Sequence, residues 1–139
     1  MNENIEIKHY KNIKNTPAVP LLMAEWQESL TYWPGRQDYS FDWDHEAMVL
    51  FLDDTPIGVI DFMLAEYCRN CQLTVGYIKP EFRRRGFYNK LWTHFISHLK
   101  SEGKIDNILS YSIITNPVIH EVSRKQGRHQ FATVYRYSL

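Results

Sequence analysis

Near residue 80 the hydrophobic pattern of this chain changes period. From Ala47 to Ile78 the apolar residues come in short runs or alternate, as strands require. Beyond it, Leu91, Trp92, Phe95, Ile96 and Leu99 recur at helical spacing over about three turns. Between them lies Lys79-Pro80-Glu81-Phe82-Arg83-Arg84-Arg85-Gly86-Phe87-Tyr88-Asn89-Lys90. A strand that feeds a helix through a basic, glycine-bearing loop restricts the chain to mixed α/β architectures.

The other segments fit that class. Residues 5–8 alternate and predict a first strand. Thr16-Pro17 opens a helix with Leu21, Leu22, Ala24, Trp26 and Leu30 as its apolar stripe. Residues 31–46 lack a period and read as a loop with one helical turn. Apolar runs at 47–52, 57–64 and 72–78 are separated by Asp53-Asp54-Thr55-Pro56 and by Cys68-Arg69-Asn70-Cys71, which predicts an antiparallel meander. Gly103 is placed as the C-cap of the long helix. Residues 105–114, centred on 109–114, predict another strand. Asn116-Pro117 opens a short helix that Gly127 closes, and 131–137 is a final strand. The expected order is β-α-(α)-β-β-β-α-β-α-β, with residues 1–139 as one domain.

Composition narrows the function classes. The chain has 139 residues, 44% hydrophobic and 23% charged, which excludes disordered and collagen-like classes. No apolar run approaches the roughly 18 residues of a membrane span, so no membrane partner is expected. The first six residues lack the apolar stretch of a secretory leader, and two cysteines make no disulfide framework, so the expected location is cytoplasmic. The zero net charge hides an asymmetry. Residues 1–78 hold 5 Lys and Arg against 12 Asp and Glu, a net −7, and residues 79–139 hold 11 against 4, a net +7. A basic half suits an anionic ligand and an acidic half a cationic one, although the halves also attract each other within a fold. The balanced whole disfavours nucleic acid.

The loop at 79–90 carries the chemistry. A helix N-terminus presents unpaired N–H groups and partial positive charge, which suits a pyrophosphate. Gly86 admits a close backbone approach, and three arginines add anion attraction. The spacing is neither a Walker loop nor a dinucleotide fingerprint. A solvated basic loop is the plain alternative.

Pro80-Glu81-Phe82-Arg83-Arg84-Arg85-Gly86-Phe87-Tyr88 resembles motif A of the GCN5-related N-acetyltransferases, Arg/Gln-x-x-Gly-x-Gly/Ala. Arg83 and Gly86 match, and Tyr88 stands where the family usually has Gly or Ala. A second segment resembles motif B, with Asn116, Lys125 and Gly127 in agreement and Ser123 in place of the usual tyrosine. The strand order agrees across nearly the whole chain. The resemblance implies a mainly antiparallel mixed sheet, splayed between its fourth and fifth strands, with helices on both faces.

It further implies acetyl-CoA as cosubstrate and an amine acceptor as partner. Ile78 would pair with the pantetheine, and Arg83 belongs to the same cofactor set. The N–H groups of Arg84, Arg85, Gly86, Phe87, Tyr88 and Asn89 would hold the pyrophosphate, and Asn116 would contact the cofactor arm. Gly76 is expected to mark the β-bulge of the splay. A primary amine, on a small molecule or a protein lysine or N-terminus, would attack the thioester directly in a ternary complex. The family's tyrosine often protonates the departing thiolate, which makes Ser123 the candidate acid.

Glu66 is the leading candidate base, with Asp61 and His120 behind it. The plain reading has Asp61 facing solvent on an alternating strand. Segment 31–46 falls where the family builds its acceptor wall. There Trp33, Tyr39, Phe41 and Trp43 would flank a cationic amine attracted by Asp38, Asp42 and Asp44. No metal is expected, since Cys68, Cys71, His94 and His98 match no zinc-finger spacing. Two other readings stay open: a catalytically impaired CoA-binding or interaction module, and acyl transfer to a nucleic-acid-linked amine. A homodimer paired through residues 131–138 is a further expectation.

Overall fold

The computed structural model describes residues 3–36, 44–110 and 117–129. The period-two segments become strands β1 (Ile5–Tyr10), β2 (Glu46–Leu52), β3 (Thr55–Ala65), β4 (Asn70–Ile78) and β5 (Asn107–Ser110). The helices are α1 (Ala18–Ser29), α2 (Phe87–Glu102) and α3 (Pro117–Lys125). One sheet runs in the order β1-β2-β3-β4-β5. The first three pairings are antiparallel and β4–β5 is parallel.

Local chemistry explains the connections. Asp53 (φ 47°) and Asp54 (φ 67°) are both left-handed, as a twist-compatible two-residue hairpin requires, and aspartate tolerates that region. A parallel β4–β5 pair needs a crossover, and α2 supplies it. Gly103 ends α2 at φ +67°, as expected. The helix itself starts at Phe87, one turn before its first periodic leucine. Among the described residues no helix is long and apolar enough to cross a membrane. Residues 111–116 and the expected last strand, 131–137, lie outside the described residues, as does the dimer pairing placed on it.

Each face of the sheet is covered. Met48, Leu50, Ile60, Phe62, Leu73 and Ile78 meet Phe87, Leu91, Phe95 and Leu99 of α2. Ala47, Val49, Val59, Val75 and Tyr77 meet Ala18, Leu21 and Leu22 of α1. The rings of Phe62 and Phe95 lie 4.9 Å apart at the centre of the α2 layer. Phe62→Ala should therefore cost about 3–5 kcal/mol, read as a lower urea midpoint at unchanged slope.

One correction concerns the bulge. Asp61 pairs with Val75 and Phe62 with Leu73, which leaves Thr74 as the extra residue of β4. The bulge lies there and not at Gly76, which pairs in register with Ile60. Thr74 is held out of the ladder by its hydroxyl, which donates to Asp61 within reach of both the main-chain oxygen (2.8 Å) and the carboxylate Oδ2. Among the described residues, β4 pairs with β5 only over Asn70, Cys71, Gln72 and Leu73.

Candidate functional site

Past Ile78 the chain makes a 3₁₀ turn at Pro80–Phe82 and extends at Arg83 (φ −72°, ψ 159°). Arg84 is left-handed (φ 63°), and so is Gly86 (φ 80°), the N-cap of α2. A left-handed arginine costs about 1–2 kcal/mol, so the loop holds this shape against a local preference. Left-handed residues in such a loop help turn successive N–H groups to one side. The first turn of α2 has neither a side-chain cap nor an acidic residue. Its free N–H groups make a positive end open to an anion. A Cβ placed on Gly86 would meet nothing within 4 Å, so the approach is clear and the φ alone demands glycine.

The three arginines divide their work. Arg83 grips Glu28 of α1 through both carboxylate oxygens (2.6 and 2.7 Å) and donates Nε–H to the Ile78 carbonyl (2.8 Å). Its guanidinium also lies 5.4 Å from the Tyr77 ring. Arg85 pairs with Glu3 and rests near Phe87. Arg84 is exposed, with no ion pair among the described residues.

Beyond the loop, the end of β4 meets a cluster of polar groups. Tyr88 packs on Gly76, where a Cβ would collide with the hydroxyl and stand 2.8 Å from Cε2. The tyrosine at motif A thus requires the glycine on β4. Burial pushes the Tyr88 hydroxyl up, against the opposing pull of Arg128 and Gln126. Arg128 lies 4.3 Å over the Trp92 ring, with Nη1 3.4 Å from Ser110 Oγ and 3.5 Å from Ser123 Oγ. Tyr88 Oη, Gln126 Oε1 and Arg128 Nε and Nη2 are buried without completing a hydrogen bond. Such atoms are costly unless a polar partner arrives, so the cluster fits an amide-bearing arm beside an anion-binding helix end.

The remaining expected residues fall elsewhere. Trp33 lies in the turn after α1, with Arg36 stacked 5.1 Å from its ring. Tyr39, Phe41, Trp43 and Asn116 lie outside the described residues, as does the side chain of His120. Glu66 is on the 3₁₀ turn between β3 and β4, 3.6 Å from Lys104. That is the opposite end of β4 from the arginine loop, roughly 25 Å away at strand rise. The structure does not bring the two together.

Asp61 is the clear correction. It is fully buried, because α1 covers the face that alternation alone would give to solvent. Its Oδ2 meets His45 Nδ1 at 2.7 Å as well as Thr74, and its Oδ1 has no partner. Cys68 is exposed and Cys71 buried, its thiol pushed up to about 12 by burial and by Glu46. His98 meets the His9 ring edge-on at 4.6 Å. Among the described residues no cluster of three metal-ligating side chains forms. Glu28, His45, Thr74, Gln126 and Arg128 escaped the sequence reading. The one visible signal was a lone aspartate inside the apolar run 57–64.

Two predictions follow from these contacts. Gly76→Ala should cost about 1–3 kcal/mol by overpacking, and adding Tyr88→Ala should recover much of it, giving a non-additive thermodynamic cycle. Arg83 hydrogen bonding holds the Glu28 carboxyl below its ordinary 4.5. The pair's contribution is then complete above 4.5 and fades as pH falls through the lowered value. Being half exposed, it is worth at most about 1 kcal/mol, and Glu28→Gln should flatten that acid limb in pH-dependent urea melts.

Comparison with known proteins agrees with this geometry. The profile described as "Acetyltransferase (GNAT) family" matches residues 12–122. Among solved structures, the aminoglycoside acetyltransferase meta-AAC0020, from an uncultured soil metagenomic sample and in complex with sisomicin, aligns at TM-score 0.72. It is 11% identical, over 97% of this chain and 96% of that one. The ribosomal-protein-alanine N-acetyltransferase of Brucella melitensis biovar Abortus 2308 aligns at 0.69, 15% identical, over 98% and 100%. The aminoglycoside N-acetyltransferase AAC(6')-Iy in complex with CoA aligns at 0.64, 15% identical, over 100% and 97%. At such identities these are likenesses of fold. No curated protein shows significant sequence similarity to the chain. With the family profile spanning most of its length and the uncapped α2 N-terminus in place, the chain belongs to the GNAT family of acetyltransferases, whose acetyl donor is acetyl-CoA.

Proposed function

We propose that this acetyltransferase moves the acetyl group onto a primary amine of a cationic acceptor, by direct attack in a ternary complex. The observation that carries the reading is the open, uncapped N-terminus of α2 behind left-handed Gly86, at the end of β4. There the N–H groups of Phe87, Tyr88 and Asn89, with the loop N–H groups of Arg84, Arg85 and Gly86, would hold the pyrophosphate. Arg84 would add its unpaired charge. Arg83 serves chiefly to position, tying the loop to α1 and to the Ile78 carbonyl. Tyr88, Gln126 and Arg128 would meet the amide-bearing arm, with Ser123 beside them. Bound acetyl-CoA supplies the activated acyl group, and the protein supplies orientation and charge.

The acceptor class is argued from charge. Residues 1–78 carry the net −7 that suits a polycationic amine, and this half includes the aromatic and acidic segment 31–46. The solved relatives include an enzyme crystallised with the aminoglycoside sisomicin and one named for ribosomal-protein alanine. Small polyamines and protein N-termini are therefore both fair acceptors, and the acidic half favours the former. An impaired CoA-binding module is the second reading. Tyr88 at a Gly or Ala position and Ser123 at the tyrosine position favour it.

Titration calorimetry with acetyl-CoA tests the donor site. We expect micromolar binding, weakened at least tenfold by Gly86→Trp, because the indole would project into the approach and the φ of +80° resists any side chain. Release of CoA with aminoglycosides, spermidine or peptides with free N-termini then separates the readings. Turnover with a polycation supports the transferase, binding without turnover supports the impaired module, and no binding at millimolar acetyl-CoA overturns both.

A further inference from the structure

We propose that His45, oriented by Asp61, takes the proton from the acceptor's ammonium group; the inference rests on the amine-acetylation reading above. Asp61 lies at the middle of β3 with no exposure at all. A buried carboxylate is costly unless its oxygens are hydrogen-bonded. Here Oδ2 carries both contacts, to Thr74 Oγ1 and to His45 Nδ1 at 2.7 Å, while Oδ1 has none. A group kept only for packing would be better replaced by an apolar one of the same size. Such incomplete satisfaction is the kind that points to chemistry.

Position strengthens the case. Thr74 is the bulged residue of β4, next to the Leu73 pair with Ser110 of β5, so the Asp61 carboxylate reaches the strand that leads to the N-terminus of α2. Asp61 shares the α1 face with Ala47 and Val59, and the acidic segment 31–46 leads into β2 beside it. His45 is the last residue of that segment before β2. Its side chain is 12% exposed against 0% for Asp61, so the imidazole is the member of the pair that an acceptor can reach.

The chemistry follows from the donor rule. An ionised carboxylate only accepts, so its partner Nδ1 carries the hydrogen and Nε2 keeps the lone pair. One ammonium N–H bond breaks as Nε2–H forms. The freed nitrogen pair makes the bond to the acetyl carbonyl carbon while the carbon–sulfur bond breaks. The nitrogen's next proton ends on sulfur and the His45 proton goes to solvent, leaving amide, thiol and one H⁺. His45 is thus the base, while Asp61 and Thr74 are positioning residues.

Three measurements on the intact chain decide it. Nitrogen-15 NMR of the imidazole should find His45 protonated on Nδ1 at neutral pH, with that downfield proton lost in Asp61→Asn. An Nε2-protonated ring would overturn the assignment. His45→Asn, whose amide N–H stands in for Nδ1–H toward Asp61 but supplies no base, should stay folded and bind acetyl-CoA within twofold. Its kcat should fall by about 10²–10⁴ with little change in KM for the donor. Retention of more than a third of kcat would sink the proposal. Thr74→Val should show a smaller loss of kcat, and it guards against failure of Asp61→Asn to fold. If the wild type does not bind acetyl-CoA, the acetylation reading fails and this one with it. The calorimetric titration reads that outcome without any acceptor.

Discussion

Much of the arrangement hangs on one inserted residue. Before Thr74, the odd-numbered residues of β4 (Cys71 and Leu73) face α2, and after it the odd-numbered residues (Val75 and Tyr77) face α1. The bulge inverts the parity of the strand. Without it Gly76 would turn to the α1 side, Tyr88 would have no small residue to pack on, and Ile78 would leave the α2 core. The hydroxyl of Thr74 reaches Asp61 for the same reason. A single extra residue thus sets up both the polar cluster around Tyr88 and the His45–Asp61 pair, on opposite faces of the same strand.

The charge asymmetry of the sequence has two uses in the fold. Part of it is consumed internally: Arg83 on Glu28 and Arg85 on Glu3 join the basic loop to the acidic half. Exposed pairs of this kind contribute little stability, yet they fix where the loop sits relative to α1. Arg83 does so most firmly, because its Nε also closes on the Ile78 carbonyl. Of the three loop arginines, the one without an ion pair among the described residues is Arg84, which stands with the N–H groups of the first turn of α2. A net charge of +7 on the second half therefore overstates the positive field available to a ligand.

Much of this was legible in the sequence, and the failures have physical causes. The change of period, Gly86 and Gly103 placed the loop and α2, because helix ends are written in local residues. A glycine inside a strand carries two meanings, bulge or close packing, and only the partner distinguishes them. Gly76 was read as the first and is the second. Asp61 was read as solvent-facing because period two assumes one wet face, whereas α1 and α2 cover both faces of the sheet here. The grip of Arg83 on Glu28 joins residues 55 apart, a separation at which no local pattern speaks.

The two departures from the family pattern are coupled in space. On the resemblance to motifs A and B, Tyr88 stands at a small-residue position of α2 and Ser123 at a tyrosine position of α3, and Arg128 links them: its charge acts on Tyr88 and its Nη1 faces Ser123 Oγ at 3.5 Å. A phenol from α2 thus stands beside the same guanidinium. A small residue at 88 would leave Gly76 without its ring and Arg128 without this neighbour. The close fit of the Tyr88 ring on Gly76 ties the cluster on α2 to β4, so any side chain at 76 would push that ring away from Arg128.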